Sequence, residues 1–169
     1  MITPDYARRM ARYNLWQNKS IYDAAFSLSD DERRLDRGSF FKSIHATLSH
    51  VRWADQIWMH RLGGWEITEA SIQESTDLYP DWASLKASRE KADHRLLEWA
   101  DKLTADEING DLSWYSGAVK ADLVRPRSVC IMQVFNHQTH HRGQVHTMLT
   151  SAGAKPDDTD LPFLPESYL

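Results

Sequence analysis

A single cysteine, Cys130, stands among the 169 residues of this chain. That excludes an internal disulfide and any zinc site built from several thiolates; the lone thiol reads as a buried, inert side chain. An excess of positive charge is also missing. Lys and Arg number 20 against 24 Asp and Glu, a formal net charge of −4 with histidine neutral, so no general attraction to nucleic acid or to an anionic membrane is expected. No stretch approaches the roughly 20 apolar residues needed to span a bilayer. The opening segment MITPDYARRM lacks the apolar region of a signal peptide, which makes a cytoplasmic location the expectation. The chain has no GxSxG elbow, no phosphate-binding loop and no dinucleotide fingerprint.

What is present suits one domain, residues 1–169, with a real core. Hydrophobic residues make up 41% and charged residues 26%, an ordinary balance for a globular protein. Seven tryptophans suggest large apolar side chains filling a core or a subunit interface. Four segments read as long helices. The first is capped by Thr3, has Pro4 at its first position, and carries Tyr6, Met10, Tyr13, Ala24 and Leu28 on one stripe. SDDERR then makes a short helical turn. The second long helix runs from the Gly38–Ser39 stop and cap to Gly63–Gly64. One of its faces carries Phe41, Ile44, Leu48 and Val51, the other Ala46, His50, Trp53, Ala54 and Ile57, so it should be buried on both sides. A connection of about 15 residues leads to a third helix over Asp81–Leu103. GDLSWYSGAVKADLVRP fits a small hairpin turning at Ser116–Gly117. The fourth helix follows Pro126 and stops at Gly153, and the proline-punctuated tail should lie as an extended strap. The sum is an all-α four-helix bundle with a hairpin-like insertion before its last helix.

FNHQTHHRGQVH, residues 135–146, holds four of the eight histidines. His137 and His141 are four residues apart, about 40° around a helix, and share their face with Val134, Val145 and Met148. His140 lies on the flank with Asn136 and Gln144, while His146 points away into solvent. Two imidazoles on adjacent turns of an apolar face need partners for their nitrogens. Side chains of neighbouring helices would satisfy them, and so would one shared zinc, nickel or iron(II) ion. A third ligand must come from another helix, with His45, His50, His60 and His94 as candidates. His50, between Ala46 and Ala54, is favoured by spacing but not decided by it, and His45 lies about 140° from it around the helix. A metalloprotease HExxH site fails because position 138 is glutamine.

YNLWQNKSI, SFFKSIHATLSHVRWADQIWMHRL and VFNHQTHHRGQVHTML resemble the DinB/YfiT-like family, in order along most of the chain, the HQTHHRGQ segment with its HxxxH pair most specifically. The resemblance implies a four-helix bundle, often dimeric, in which three histidines hold one divalent metal ion per chain, here His50, His137 and His141. Some thiol-dependent relatives carry glutamate at the first HxxxH position, so His137 places this chain in the all-histidine group. Zinc or nickel suits three imidazoles, with iron(II) and manganese(II) as other options. The relatives include metal-dependent enzymes that use low-molecular-weight thiols. Conjugation of a small thiol to an electrophile is therefore the first functional expectation, with metal-dependent hydrolysis and a non-enzymatic, stress-induced metal- or ligand-binding role as alternatives. No catalytic base stands out beside the ligands, although Arg142 and Gln144 could orient a small-molecule substrate. A homodimer is expected from the tryptophan content and the doubly buried second helix.

Overall fold

Caps fix the helix ends in the computed structural model, which describes residues 2–169. Helix α1 (Pro4–Phe26) starts where Thr3 Oγ1 accepts the Tyr6 amide at 3.3 Å. The short α2 (Asp30–Arg34) has a full capping box between Ser29 and Glu32. Helix α3 (Ile44–Gly63) is capped by Ser43 and ends at Gly64, whose φ of 67° suits a left-handed stop. Helix α4 (Trp82–Lys102) lies between its Asp81 and Leu103 caps, as expected. A further short helix, α5 (Ala105–Ile108), was not anticipated. Strands β1 (Asp111–Ser116) and β2 (Ala121–Pro126) form the expected antiparallel hairpin, but Ser116 pairs with Ala121, so the turn is Gly117–Lys120 and not Ser116–Gly117. Helix α6 (Arg127–Ser151) is followed by Gly153 at φ 83°.

The chain is therefore mostly helical with one small two-stranded sheet. Each of α1 and α3 packs against both α4 and α6. No helix of the described residues is long and apolar enough to cross a membrane.

Two expectations need correction. The second long helix does not begin at Ser39 but at Ile44, because Ser39 and Lys42 pair across a tight turn in which Lys42 adopts φ 67°. Phe41 thus belongs to a turn, not to the helix face. The tail is not simply extended: Leu161–Phe163 and Glu166–Tyr168 are 3₁₀ turns. Its first part does lie along α1, where Ser20 Oγ accepts the Asp157 amide at 2.7 Å and Tyr13 Oη donates to the Thr159 carbonyl at 2.6 Å.

The interior is divided by polarity. One apolar cluster gathers Ala7, Ala11, Met59, Leu62, Leu96, Ile131, Val134 and Phe135. A second gathers Ile21, Ala25, Ile44, Leu48, Trp82, Leu85, Val145 and Leu149 at the other ends of the same four helices. Between them, by position along each helix, come the buried polar residues Asn18, Asp55, Arg89, Asp93, Gln138 and Arg142. Arg89 is paired with both Asp55 and Asp93. Asn18 Nδ2 donates to Asp93 Oδ1 at 2.8 Å, and Gln138 Nε2 to Asp55 Oδ1 at 3.0 Å. Arg142 Nη1 donates to Gln138 Oε1 at 3.0 Å. Burial alone would lower the Arg89 guanidinium, but the Asp93 and Asp55 carboxylates hold it above its ordinary value.

The connection between α3 and α4 runs back along α3 and is tied to it at four points. Gln56 Nε2 donates to the Glu66 carbonyl, Trp53 Nε1 to that of Ala70, Ser49 Oγ to that of Ser75 and His45 Nε2 to that of Tyr79, at 2.5–2.8 Å. The tied positions recur every three or four residues, so they form one helical stripe. Of the second face of α3, the strap bonds Trp53 and, through Ser75, His50; His50 also meets α6, and Ala46 and Ile57 stay half-buried.

Removing one partner of a buried ion pair strands the other charge. Asp55→Ala is expected to destabilise the fold by about 3–5 kcal/mol in urea denaturation. Asp23→Ala, which breaks an exposed pair with Lys19, should cost no more than about 1 kcal/mol.

Candidate metal centre

Four candidates for the third histidine were open, and the structure separates them. His45 is buried and bonded to the strap at Tyr79, His60 Nδ1 meets the Trp65 carbonyl at 2.7 Å, and His94 is exposed on α4. His50 alone comes to the pair on α6. One nitrogen from each of His50, His137 and His141 lies within 4.8 Å of the others. His137 Nε2 stands 3.4 Å from His50 Nε2 and 3.1 Å from His141 Nε2.

Hydrogen bonds on the far side of two rings fix which nitrogen carries the proton. Ser75 Oγ donates its one hydrogen to the Ile72 carbonyl at 2.6 Å. It can then only accept from His50 Nδ1, 2.9 Å away, so that nitrogen is the N–H. Gln144 Oε1 lies 2.8 Å from His141 Nδ1 and likewise accepts. Both Nε2 atoms therefore present lone pairs to His137 Nε2, which can donate a single proton to only one of them. Three imidazoles in this state lack one donor, a deficit that a cation would meet.

The spacing fits such an ion. Bonds of about 2.0–2.1 Å at tetrahedral angles place nitrogens roughly 3.3–3.4 Å apart, close to the two separations above. His50 and His141 are buried and His137 is half-buried. Burial, reinforced by the neighbouring imidazoles His137 and His141, lowers His50 to about 3. Burial and His141 lower His137 to about 4. Burial also lowers His141, against the Gln144 bond. Neutral imidazole is the ligand form.

The walls are aromatic. The Phe41 ring lies 4.0 Å from that of His50 and 5.4 Å from that of His141, centroid to centroid. Trp53 flanks His50 at 5.6 Å, and Phe40, 79% exposed, packs edge-on to Phe41. The turn that replaces the expected helical start is what brings Phe41 here.

Other sequence-based expectations are adjusted. Arg142 is not free to orient a substrate, since it is buried against Gln138 and the Tyr13 ring. Gln144 serves His141, and its Nε2 donates to the exposed His140 at 3.3 Å. His146 is half-buried rather than solvated. Cys130 is buried as expected, and burial raises its thiol pKa. The sequence pattern put Phe41 on a helix face rather than beside the histidines and gave Ser75 no role; they lie in a turn and in a short 3₁₀ turn outside the long helices. Asp55 left a readable trace: a carboxylate amid the apolar residues of the second helix.

The family model described as the DinB family matches residues 1–168. The chain belongs to the DinB family. It is 26% identical over 164 residues to Protein DinB of Bacillus subtilis (strain 168), covering 92% of this chain and 91% of that relative. The crystal structure of a DinB-like protein from Bacillus cereus ATCC 10987 superposes with a TM-score of 0.64 at 16% identity, over 85% of this chain and 91% of the other. That second likeness concerns the fold.

The imidazole shifts of this DinB-family chain give a pH dependence for the metal-free protein. Histidines whose folded pKa lies below about 6.5 bind fewer protons folded than unfolded, so stability rises with pH. As pH falls below about 6.5 the unfolded chain takes up protons that His50 and His137 refuse until about 3 and 4. The urea midpoint of metal-free protein should therefore drop between pH 7 and pH 5. In His50→Gln/His137→Gln double-variant protein the drop should be smaller.

Proposed function

We propose that this chain is a single four-helix-bundle domain that holds one divalent metal ion through the Nε2 atoms of His50, His137 and His141. The observation that supports this best is the convergence of three neutral imidazoles with one donor too few among them. Zinc or nickel suits such ligands best, with iron(II) or manganese(II) as weaker fits. Purified protein should contain about one metal ion per chain by elemental analysis. His50→Ala, His137→Ala and His141→Ala should each lose it, and His45→Ala should retain it. Retention in the His50 variant would overturn the assignment.

For the reaction we favour conjugation of a low-molecular-weight thiol to an electrophile. A divalent ion held by three neutral ligands keeps its charge and an open position, which would favour the thiolate form of a small thiol. Cys130 does not fill that role: it packs with Met59, Leu62 and Ile131 in the apolar cluster. The thiol must come from outside. Phe41, Trp53 and exposed Phe40 offer apolar walls to the second substrate. Metal-loaded protein incubated with glutathione, bacillithiol or mycothiol and chlorodinitrobenzene should form the thioether faster than the His141→Ala variant. Equal rates with every thiol would transfer the weight to metal-assisted hydrolysis or to binding without turnover.

A homodimer is part of the same reading, now supported by the family resemblance alone. The tryptophans are buried or half-buried within one chain, and the strap takes up Trp53 and His50 of the α3 face that suggested a partner. Sedimentation at micromolar concentration should show twice the monomer mass of 19.6 kDa; a single monomeric species would rule the dimer out.

A further inference from the structure

Among the three histidines, only His50 is held by a residue from outside the long helices. Ser75 lies in the short 3₁₀ turn Glu74–Thr76 of the strap and has no exposed surface. Its carbonyl and both roles of its hydroxyl are engaged toward the centre or its support. Its carbonyl accepts from Ser49 Oγ at 2.6 Å, one residue before His50 on α3. Its hydroxyl donates to the Ile72 carbonyl and accepts from His50 Nδ1. The imidazole is further clamped between Phe41 and Trp53, and the Trp53 indole is itself tied to the strap at Ala70.

We infer that Ser75 is a positioning residue that locks the His50 tautomer and makes the strap a determinant of metal affinity. The inference rests on the metal reading above and deepens it. The physical reason is a choice between two neutral forms. With the proton on Nδ1, the His50 lone pair points at the shared centre; with the proton on Nε2, an N–H points there and blocks coordination. Because the Ser75 hydroxyl has already given its hydrogen to Ile72, it accepts from Nδ1 and selects the first form before any ion arrives. The serine does this from a loop that no helical stripe identifies. His137 has no such lock: its Nδ1 is buried without a partner. That leaves His137 as the ring able to carry its proton on Nε2 in the metal-free protein, and coordination through Nε2 would require that proton to move to Nδ1.

Outer-shell partners of this kind are worth about 10–100-fold in metal affinity. Zinc binding by Ser75→Ala, measured in competition with a chromophoric chelator, should weaken by that factor, and Ser75→Thr should restore most of it. The second measurement is the nitrogen-15 tautomer signature of His50 in metal-free protein. The wild type should show the Nδ1–H form, and Ser75→Ala a mixture with the Nε2–H form. An Nε2–H wild-type imidazole, or unchanged affinity in Ser75→Ala, would overturn the inference. Weaker affinity with the tautomer unaltered would make Ser75 merely structural and overturn it as well. A wild-type chain that bound no zinc would end the metal reading instead, and the tautomer measurement on that same protein would still decide what Ser75 does to His50.

Discussion

The contact between Asp55 on α3 and Gln138 on α6 sets the register on which the histidine centre depends. Gln138 donates to Asp55 across the same helix pair that carries His50 and His137. Asp55 follows His50 by five residues, and Gln138 follows His137 by one. A slip of either helix by one residue would swing these side chains about 100° around the axis. It would strand a buried carboxylate and amide and scatter the imidazoles together. Arg89, Asp93 and Asn18 extend the restraint to α4 and α1. Ion pairs of this kind add little net stability over an apolar core. Here their effect is selective: the two apolar clusters could slide against one another with modest loss, whereas the charged layer between them fits in one arrangement.

Local signals made most of the helical framework legible. Thr3, Ser29 and Asp81 are caps whose side chains bond the first turn as their residue types suggest, and Gly64 and Gly153 stop helices with positive φ. The Ser39 start failed because the same Gly–Ser signal serves a tight turn. Ser43, four residues later, was the cap in use. The histidine pair was legible because i and i+4 share a helix face, and that fixes their proximity with no tertiary information. His50 was favoured among four candidates by its small neighbours, but its selection is a tertiary fact: it depends on which face of α3 meets α6 and which meets the strap. The strap itself was invisible, since its ties are made by backbone carbonyls that every sequence possesses.

That strap changes the meaning of a helix apolar on two sides. Such a pattern suggests two covering layers, and a second subunit is one way to provide the outer layer. In this chain part of that cover is internal: residues 66–79 bond Trp53 and His50 of the second face, beside a neighbouring stripe of His45 and Ser49. The burial of Trp16, Trp53, Trp65 and Trp82 is likewise satisfied within the protomer. Sequence amphipathicity counts the faces that need cover; it does not say whether the cover comes from the same chain.

The chemistry of the centre follows from what its members lack. The cluster contains no carboxylate and no thiolate, so a bound dication would keep its full formal charge among aromatic rings. The charge would have to be answered by a ligand from solution. Carboxylate ligands would instead dampen that demand and supply a base. Around these histidines Ser75 and Gln144 are committed to Nδ1 atoms, and Phe41 and Trp53 pack on the His50 ring. One further imidazole, the exposed His140, lies 4.9 Å from the His141 ring with Gln144 bonded to it. With a dication bound, such a centre would favour an anionic or readily deprotonated partner, and the released proton would leave through solvent, the exposed His140 or a group the partner brings. On the proposed metal reading, a thiol, acidic enough to lose its proton on coordination and soft enough to prefer imidazole-bound zinc or nickel, would need less help from a general base than an amide would.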